Sequence, residues 1–270
     1  MTAPMIGPAP GDSLHVMSFN LKFAMRIGPN AWPRRRPVLA ELLDVEQPTV
    51  LGTQEGLHGQ LLDIAADLPG HYHRIGQGRA GGTRDEHCAI FFDTRRLDPV
   101  ESGDFWLSDT PDVAGSRSWG NRNIRMVTWA RFADRGTGAE LTVLNTHFDH
   151  MSKNSRLRSA ELLRDRVAAL PPEHPVIVTG DFNAPAEQSD AYEVLVDGAG
   201  LTDTWPAARK HATSLYATWH GYRRPVPDGP RIDWILTRGA VVECAGINTF
   251  ARDRRFPSDH LPVQALLTVG

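Results

Sequence analysis

Apolar residues recur along the chain in two rhythms, alternation and helical spacing, broken by turns. "LHVMSFN" (14–20) reads as a strand. "PRRRPVLAELLDVEQ" (33–47) opens on proline and puts Val38, Leu42 and Val45 at helical spacing, and "TVLGTQE" (49–55) resumes as a strand. A short helix is predicted over "GQLLDIAADL", followed by strands over "HCAIFFD", "MVTWARF" and "AELTVLNTHF". The last two are joined by "ADRGTG", whose glycines suit a hairpin, so the middle of the chain is expected to be antiparallel. Residues 155–170 gather Leu157, Ala160, Leu163, Val167 and Leu170 on one face with arginines elsewhere, the pattern of an amphipathic surface helix.

The apolar run in "PVIVTGDFNAPAE" (175–187) comes next and reads as a strand buried on both faces that stops at a carboxylate and an amide. "QSDAYEVLVD" looks helical, Thr202 to Pro230 is irregular, and "RIDWILT", "AVVECAGI" and "LPVQALLTV" close the chain as strands. Strand-rich halves with helices interposed predict an α/β fold of two mixed sheets packed face to face, helices outside and a cleft at the sheet edges. The expected organisation is a disordered or extended segment over 1–12 and one catalytic domain over 13–270.

Composition narrows the picture. The 270 residues are 41% hydrophobic, ample for a large core, and 24 glycines and 20 prolines punctuate the apolar segments as loops. A net charge of −3 supplies no global positive field to gather a polyanion, although a local basic groove is compatible with it. Two cysteines, Cys88 and Cys244, cannot build a disulfide framework or a thiolate metal site, and both read as buried thiols. The opening "MTAPMIGPAPGDS" has neither the basic start nor the apolar core of a signal peptide, and no later run is long enough to span a membrane. A cytoplasmic protein with no membrane contact and no obligate protein partner is expected.

Polar residues collect where apolar strands end. Asn20 ends "VMSFN", Glu55 ends "VLGTQE", His147 and Asp149 end "LTVLNTHFD", and Asp181 and Asn183 end "VIVTGDFN". Asp233 lies in "RIDWIL", and Asp259 with His260 precedes "LPVQALL". Any one of these has an ordinary reading as a turn residue bonding nearby backbone. Six strand ends with the same habit, offering oxygens, amides and imidazoles without a thiolate, form the ligand palette of Mg²⁺ or Mn²⁺. Such a cation, a proton acceptor for water and donors for phosphoryl oxygens are what phosphoester hydrolysis requires.

"QE" after an apolar strand, "NTHFDH", "GDFN", "RIDWIL" and "SDHLPV", in that order from "MSFNLKF" onward, resemble the motif set of the endonuclease/exonuclease/phosphatase superfamily, in its bacterial branch. The resemblance implies a four-layered α/β/β/α sandwich with the site at the top of the two sheets. It implies Glu55 as principal metal ligand, Asn20 as the amide beside it and Asp259 as a further metal-site carboxylate. His147 would contact the scissile phosphate, Asp181 would orient or deprotonate the attacking water, and Asn183 would steady both this aspartate and the phosphoryl oxygens. His260 would act on the phosphate or as general base, oriented by Asp233. In-line attack without a covalent intermediate is the expectation, and whether Asp181 or His260 takes the water proton stays open.

Substrate choice lies in loops. "NAWPRRR" (30–36), "FWLSDTPDVAGSRSWGNRNIR" (105–125) and "HATSLYATWHGYRRPVPDGP" (211–230) are expected to bring tryptophans, Trp106 and Trp219 among them, to the cleft. Arg125 stands where the bacterial branch often has an arginine and reads as a phosphate-side contact, with Asp149 and His150 extending the His147 cluster toward substrate. Arg34 to Arg36 read as a solvated helix start. With no lysine-rich groove, a phosphatase or phosphodiesterase of a small phosphorylated metabolite such as a sugar phosphate ranks above a nuclease acting on DNA or RNA. A lipid phosphodiesterase follows, and a catalytically inactive binding module is the remaining alternative.

Overall fold

Alternation sorts the residues of each strand between two apolar layers. In Leu14–Asn20 (β1), Leu14 and Val16 enter the core between two sheets, whereas Met17 and Phe19 join the outer cluster beneath helices. The computed structural model describes residues 3–269. The next strands are Val50–Leu57 (β2), Tyr72–Ile75 (β3), Glu86–Asp93 (β4), Leu97–Trp106 (β5), Met126–Asp134 (β6) and Glu140–His147 (β7). Val176–Asp181 (β8), Thr202–Asp203 (β9), Lys210–His211 (β10), Asp233–Arg238 (β11), Ala240–Ile247 (β12) and Val263–Val269 (β13) follow. One sheet runs β10-β12-β13-β1-β2-β4-β3 and the other β5-β6-β7-β8-β11-β9.

Helices Trp32–Glu46 (α1) and His58–Asp67 (α2) cover the first sheet through Leu39, Leu42, Leu43, Leu61 and Ile64. Helix Lys153–Ala168 (α3) covers the second through Ala160, Leu163 and Val167, so the layers are α/β/β/α. No helix among the described residues is long and apolar enough to cross a membrane. Residues 5–7 fall in the segment expected to be disordered or extended; their three backbone amides donate to the buried carboxylate of Glu46 at 2.7, 3.2 and 2.9 Å. Met1 and Thr2, which the same expectation covers, lie outside the described residues.

The arginine run departs from expectation. Arg35 is fully buried, and its guanidinium donates to the carbonyls of Leu21, Lys22, Phe23, Asn30 and Pro257, fixing loops that border the cleft. Arg36 joins α1 to α2 through Asp63 and Asp67. A guanidinium can satisfy several carbonyls at once, so a loop junction consumed a residue that charge patterning assigned to solvent.

His15 turns the other way from Val16, toward α1, where its Nδ1 lies 3.1 Å from the Glu46 carbonyl. Burial holds this imidazole down at about 4, although Glu46 favours its charge. It is therefore neutral in the fold, while in the unfolded chain it takes up a proton below about 6.5. The unfolded state then binds more protons, so stability is expected to fall as pH drops from about 6.5 toward 4, by about 3 kcal/mol. Denaturant titrations at pH 7 and about pH 4.5 should show a larger loss for the wild type than for His15→Gln; equal losses would contradict this.

Candidate active site

The inward faces of three strands grade from apolar to polar in steps of two. β1 presents Leu14, Val16, Ser18 and Asn20; β7 presents Leu141, Val143, Asn145 and His147; β8 presents Ile177, Thr179 and Asp181. The first residues of each series anchor the sheets together and the last stand at the cleft. Pairing brings those ends to one edge. β1 and β2 are parallel, as are β7 and β8, while β4, β6, β11 and β13 run antiparallel to them. Register sets His147 beside Asp181 and Asp181 opposite Asp233.

Below this edge, a polar seam crosses between the sheets. Gln54 Nε2 donates to Asn145 Oδ1 at 2.7 Å and Thr179 Oγ1 to the same oxygen at 3.0 Å, while Asn145 Nδ2 donates to the carbonyls of Thr53 and Ala89. Gly52 faces this seam with no room for a side chain, since a Cβ would stand 2.1 Å from Thr179 Oγ1. The seam couples the strands that carry Glu55, His147 and Asp181. Strict alternation would turn Glu55 outward toward the helices. A register shift between Thr53 and Gly56, with Glu55 at φ 62°, instead places it on the cleft.

Asp181 is the hub of the site. Its Oδ2 accepts from Asn20 Nδ2 at 2.9 Å and lies 3.5 Å from His147 Nε2 and 3.8 Å from His260 Nε2. Its Oδ1 accepts from the Asn183 amide at 2.9 Å, and Asn183 Nδ2 donates to the Phe148 carbonyl. The turn reading of "DFN" is thus also correct: the turn sets the carboxylate. Phe182 points the other way and stacks on Trp234 at 4.2 Å. Burial and the neighbouring Asp233 raise the Asp181 carboxyl to about 7.

His260 Nδ1 donates to Asp233 Oδ2 at 2.9 Å, which leaves Nε2 toward Asp181. Burial opposes the charge on His260, but Asp233 and Asp181 outweigh it and raise the imidazole to about 10. His147 goes the opposite way: burial, then Arg125 and His260, hold it well below the ordinary histidine value. The site therefore pairs one charged imidazole with one neutral one around a carboxyl near neutrality.

Asn20 Nδ2 also donates to Glu55 Oε1 at 3.0 Å, and Glu55 Oε2 accepts from the Phe23 amide at 3.1 Å. Across from Glu55, the Lys22 ammonium sits 3.2 Å from Asp259 Oδ2. Burial opposes the charge on Lys22, but Asp259 and Glu55 outweigh it and raise the ammonium above its usual value. A cationic group already rests against Asp259, and the two carboxylates offer the hard oxygens that suit a divalent cation, so they fit the ion their residue types imply, while Asn20 turns its Nδ2 to Glu55 and its Oδ1 to the Lys22 amide. Asp181, Asp233 and His260 also bring ligand atoms within 4.8 Å of one another. Their geometry is better explained as a hydrogen-bonded relay, because Asp233 accepts the hydrogen bond of the His260 Nδ1–H and lies beneath the cavity lining.

One cavity of about 470 Å³ gathers Glu55, His147, Asp181, Asn183, Asp259 and His260, together with Arg125, His150 and Trp219. Arg125 Nη2 lies 3.3 Å from His150 Nδ1. Trp219 stands 48% exposed at the rim, the one tryptophan among the lining residues.

Two sequence-derived substrate contacts are placed elsewhere. Trp106 ends β5, an edge strand, and its buried indole donates to the Arg79 carbonyl at 2.6 Å. It supports the cleft from behind. Asp149 is fully buried and its Oδ1 accepts from the amides of Met151 and Ser152 just before α3, so it shapes the turn that carries His150. Sequence reasoning also missed Lys22, Arg79, Glu86 and Asn123 in the lining. Glu86 opens β4 at the same edge, so a polar residue at a strand start, the signal that marked Asp259, was present there too. Burial raises Glu86 to about 7 against the pull of Arg79.

Comparison with known proteins agrees with this geometry. Residues 17–260 match the model of the Endonuclease/Exonuclease/phosphatase family. The structure is similar to an endonuclease/exonuclease/phosphatase from Bacteroides vulgatus, with TM-score 0.90 and 31% identity, covering 96% of this chain and 99% of the other. It is similar also to the mannosyl-6-phosphatase of Bacteroides thetaiotaomicron, with TM-score 0.86 and 34% identity, covering 94% and 99%. An uncharacterized protein of Acanthamoeba polyphaga mimivirus is 26% identical over 162 residues, 56% of this chain, and the match spans 59% of that relative's length.

Proposed function

We propose, given that the chain belongs to the endonuclease/exonuclease/phosphatase family of phosphoester hydrolases, that it removes the phosphate from a small phosphorylated metabolite such as a sugar phosphate. The observation that carries this reading is the single cavity of about 470 Å³ whose lining joins the water-handling groups to a polar wall of arginine, carboxylate, amide and imidazole. Its size falls in the range of small-molecule sites. The mannosyl-6-phosphatase of Bacteroides thetaiotaomicron, similar over nearly the whole chain, supports it.

In this reading Asp181, the carboxyl poised to change charge near neutrality, takes the proton of the attacking water. His260, kept charged by Asp233, donates through Nε2 to a phosphoryl oxygen, and Asn183 steadies the phosphoryl group and Asp181 together. Neutral His147 and the buried Arg125 flank the phosphate. The water oxygen forms its bond to phosphorus as the bond to the leaving oxygen breaks, without a covalent enzyme intermediate, and the leaving oxygen takes up a proton from solvent to depart as the sugar hydroxyl. A divalent cation, Mg²⁺ or Mn²⁺, held by Glu55 and Asp259 with Asn20 beside them, would neutralise phosphoryl charge.

A screen of phosphorylated metabolites with Mg²⁺ or Mn²⁺ present is expected to give the highest kcat/KM on phosphomonoesters of sugars, read as inorganic phosphate released. The alternative is a nuclease, which the half-exposed Trp219 favours as a platform for a base. Faster cleavage of single-stranded DNA, falling steeply with added salt, would decide for that alternative.

A further inference from the structure

Catalysis as proposed leaves Arg79, Glu86 and Asn123 on the cavity lining without a task, although Arg79 and Glu86 stand next to Glu55, Arg125 and His147. Arg79 is rigidly held. Its amide donates to the Glu86 carbonyl at 2.8 Å, its Nη1 to Glu86 Oε2 at 2.6 Å, and its Nη2 lies 3.0 Å from Asp85 Oδ1. Its own carbonyl accepts from the Trp106 indole N–H. The preceding Gly78 packs so closely that a Cβ would fall 1.9 Å from the Arg84 carbonyl oxygen, so the turn has little freedom to rearrange. This is the preorganisation a recognition element needs.

We propose that the Arg79–Glu86 pair, with Asn123 of the same cavity lining, is the subsite for the leaving group, and that it takes a polyhydroxylated group such as a hexose; this rests on the phosphomonoester reading above. Arg79 is charge-matched by Asp85 and Glu86, which leaves no surplus for a second phosphate. A carboxylate facing phosphate oxygens is repulsive, whereas facing hydroxyls it accepts their hydrogen bonds. Arg79 engages only one Glu86 oxygen, and Asn123 brings an amide, both donor and acceptor, to the same cavity. Adjacent hydroxyls, each both donor and acceptor, complement that set. Trp219 and Ile232 are the apolar members of the lining, too little to hold a lipid chain.

The test compares a hexose 6-phosphate with 4-nitrophenyl phosphate, which lacks hydroxyls on its leaving group. In Glu86→Gln, an isosteric change, the ratio of kcat/KM for the hexose phosphate over the aryl phosphate is expected to fall by about ten- to a hundredfold, mainly through KM. Arg79→Lys should lower the same ratio. A ratio unchanged in both variants, with the wild type active on the hexose phosphate, overturns this inference alone, whether or not both rates have dropped together. A wild type that cleaves single-stranded DNA and no sugar phosphate overturns the phosphomonoester reading, and this inference with it.

Discussion

Asp181→Asn is expected to lower kcat by about 10²- to 10⁴-fold while leaving the protein at least as stable as the wild type at about pH 8. The loss follows from removing the carboxyl that lies at hydrogen-bond range of Asn20 and faces both His147 and His260. The stability follows from the cause of its raised value: burial and Asp233 make its ionised form unfavourable. A carboxyl raised in the fold keeps its proton longer there than in the unfolded chain, so its burden is absent below about pH 4 and complete above about 7. An amide does not ionise, so the variant's relative gain in melting temperature should appear over that window. His260→Ala should lose turnover on a similar scale but also stability, because it leaves the buried Asp233 without its partner. The double variant should lose little more activity than the worse single one. Near-full turnover in Asp181→Asn would assign the proton acceptor to another group.

Chelation is expected to abolish turnover, and Mg²⁺ or Mn²⁺ to restore it. A reading independent of activity is available from melting. An ion that binds the fold and not the unfolded chain, present at about a hundred times its Kd, stabilises by about 2.7 kcal/mol. Glu55→Gln should weaken both the melting shift and the metal dependence of activity, since it removes a charge from the donor set facing Asp259. Unchanged turnover in chelator would overturn the proposed cation, and a melting shift kept in Glu55→Gln would place its binding elsewhere.

Much of this architecture was legible because most strands are apolar runs of ordinary strand length bounded by turn residues. β1, β7 and β8 each end on a polar residue, Asn20, His147 and Asp181, that meets the cleft. β5 was not legible: "LDPVESGDFW" is an edge strand with one neighbour and an exposed middle, so its composition resembles a loop. Trp106 was then counted as a loop residue, although the strand carries it into the interior. The position of Glu55 depends on a local register shift that no periodicity announces. Arg35 and Asp149 escaped for a common reason, that charged residues bound to backbone leave no spacing pattern.

The polar seam formed by Gln54, Asn145 and Thr179 over Gly52 has a mechanical consequence. An interface of aliphatic side chains alone can slide, because one apolar contact replaces another at small cost. Directional bonds that meet at one side-chain amide, accepted by its oxygen and donated by its nitrogen, act as a detent: a displacement along the strands would break them together. Glu55, His147 and Asp181 therefore travel as one rigid unit, and loops around the cleft can be exchanged for others without the reacting groups losing their alignment.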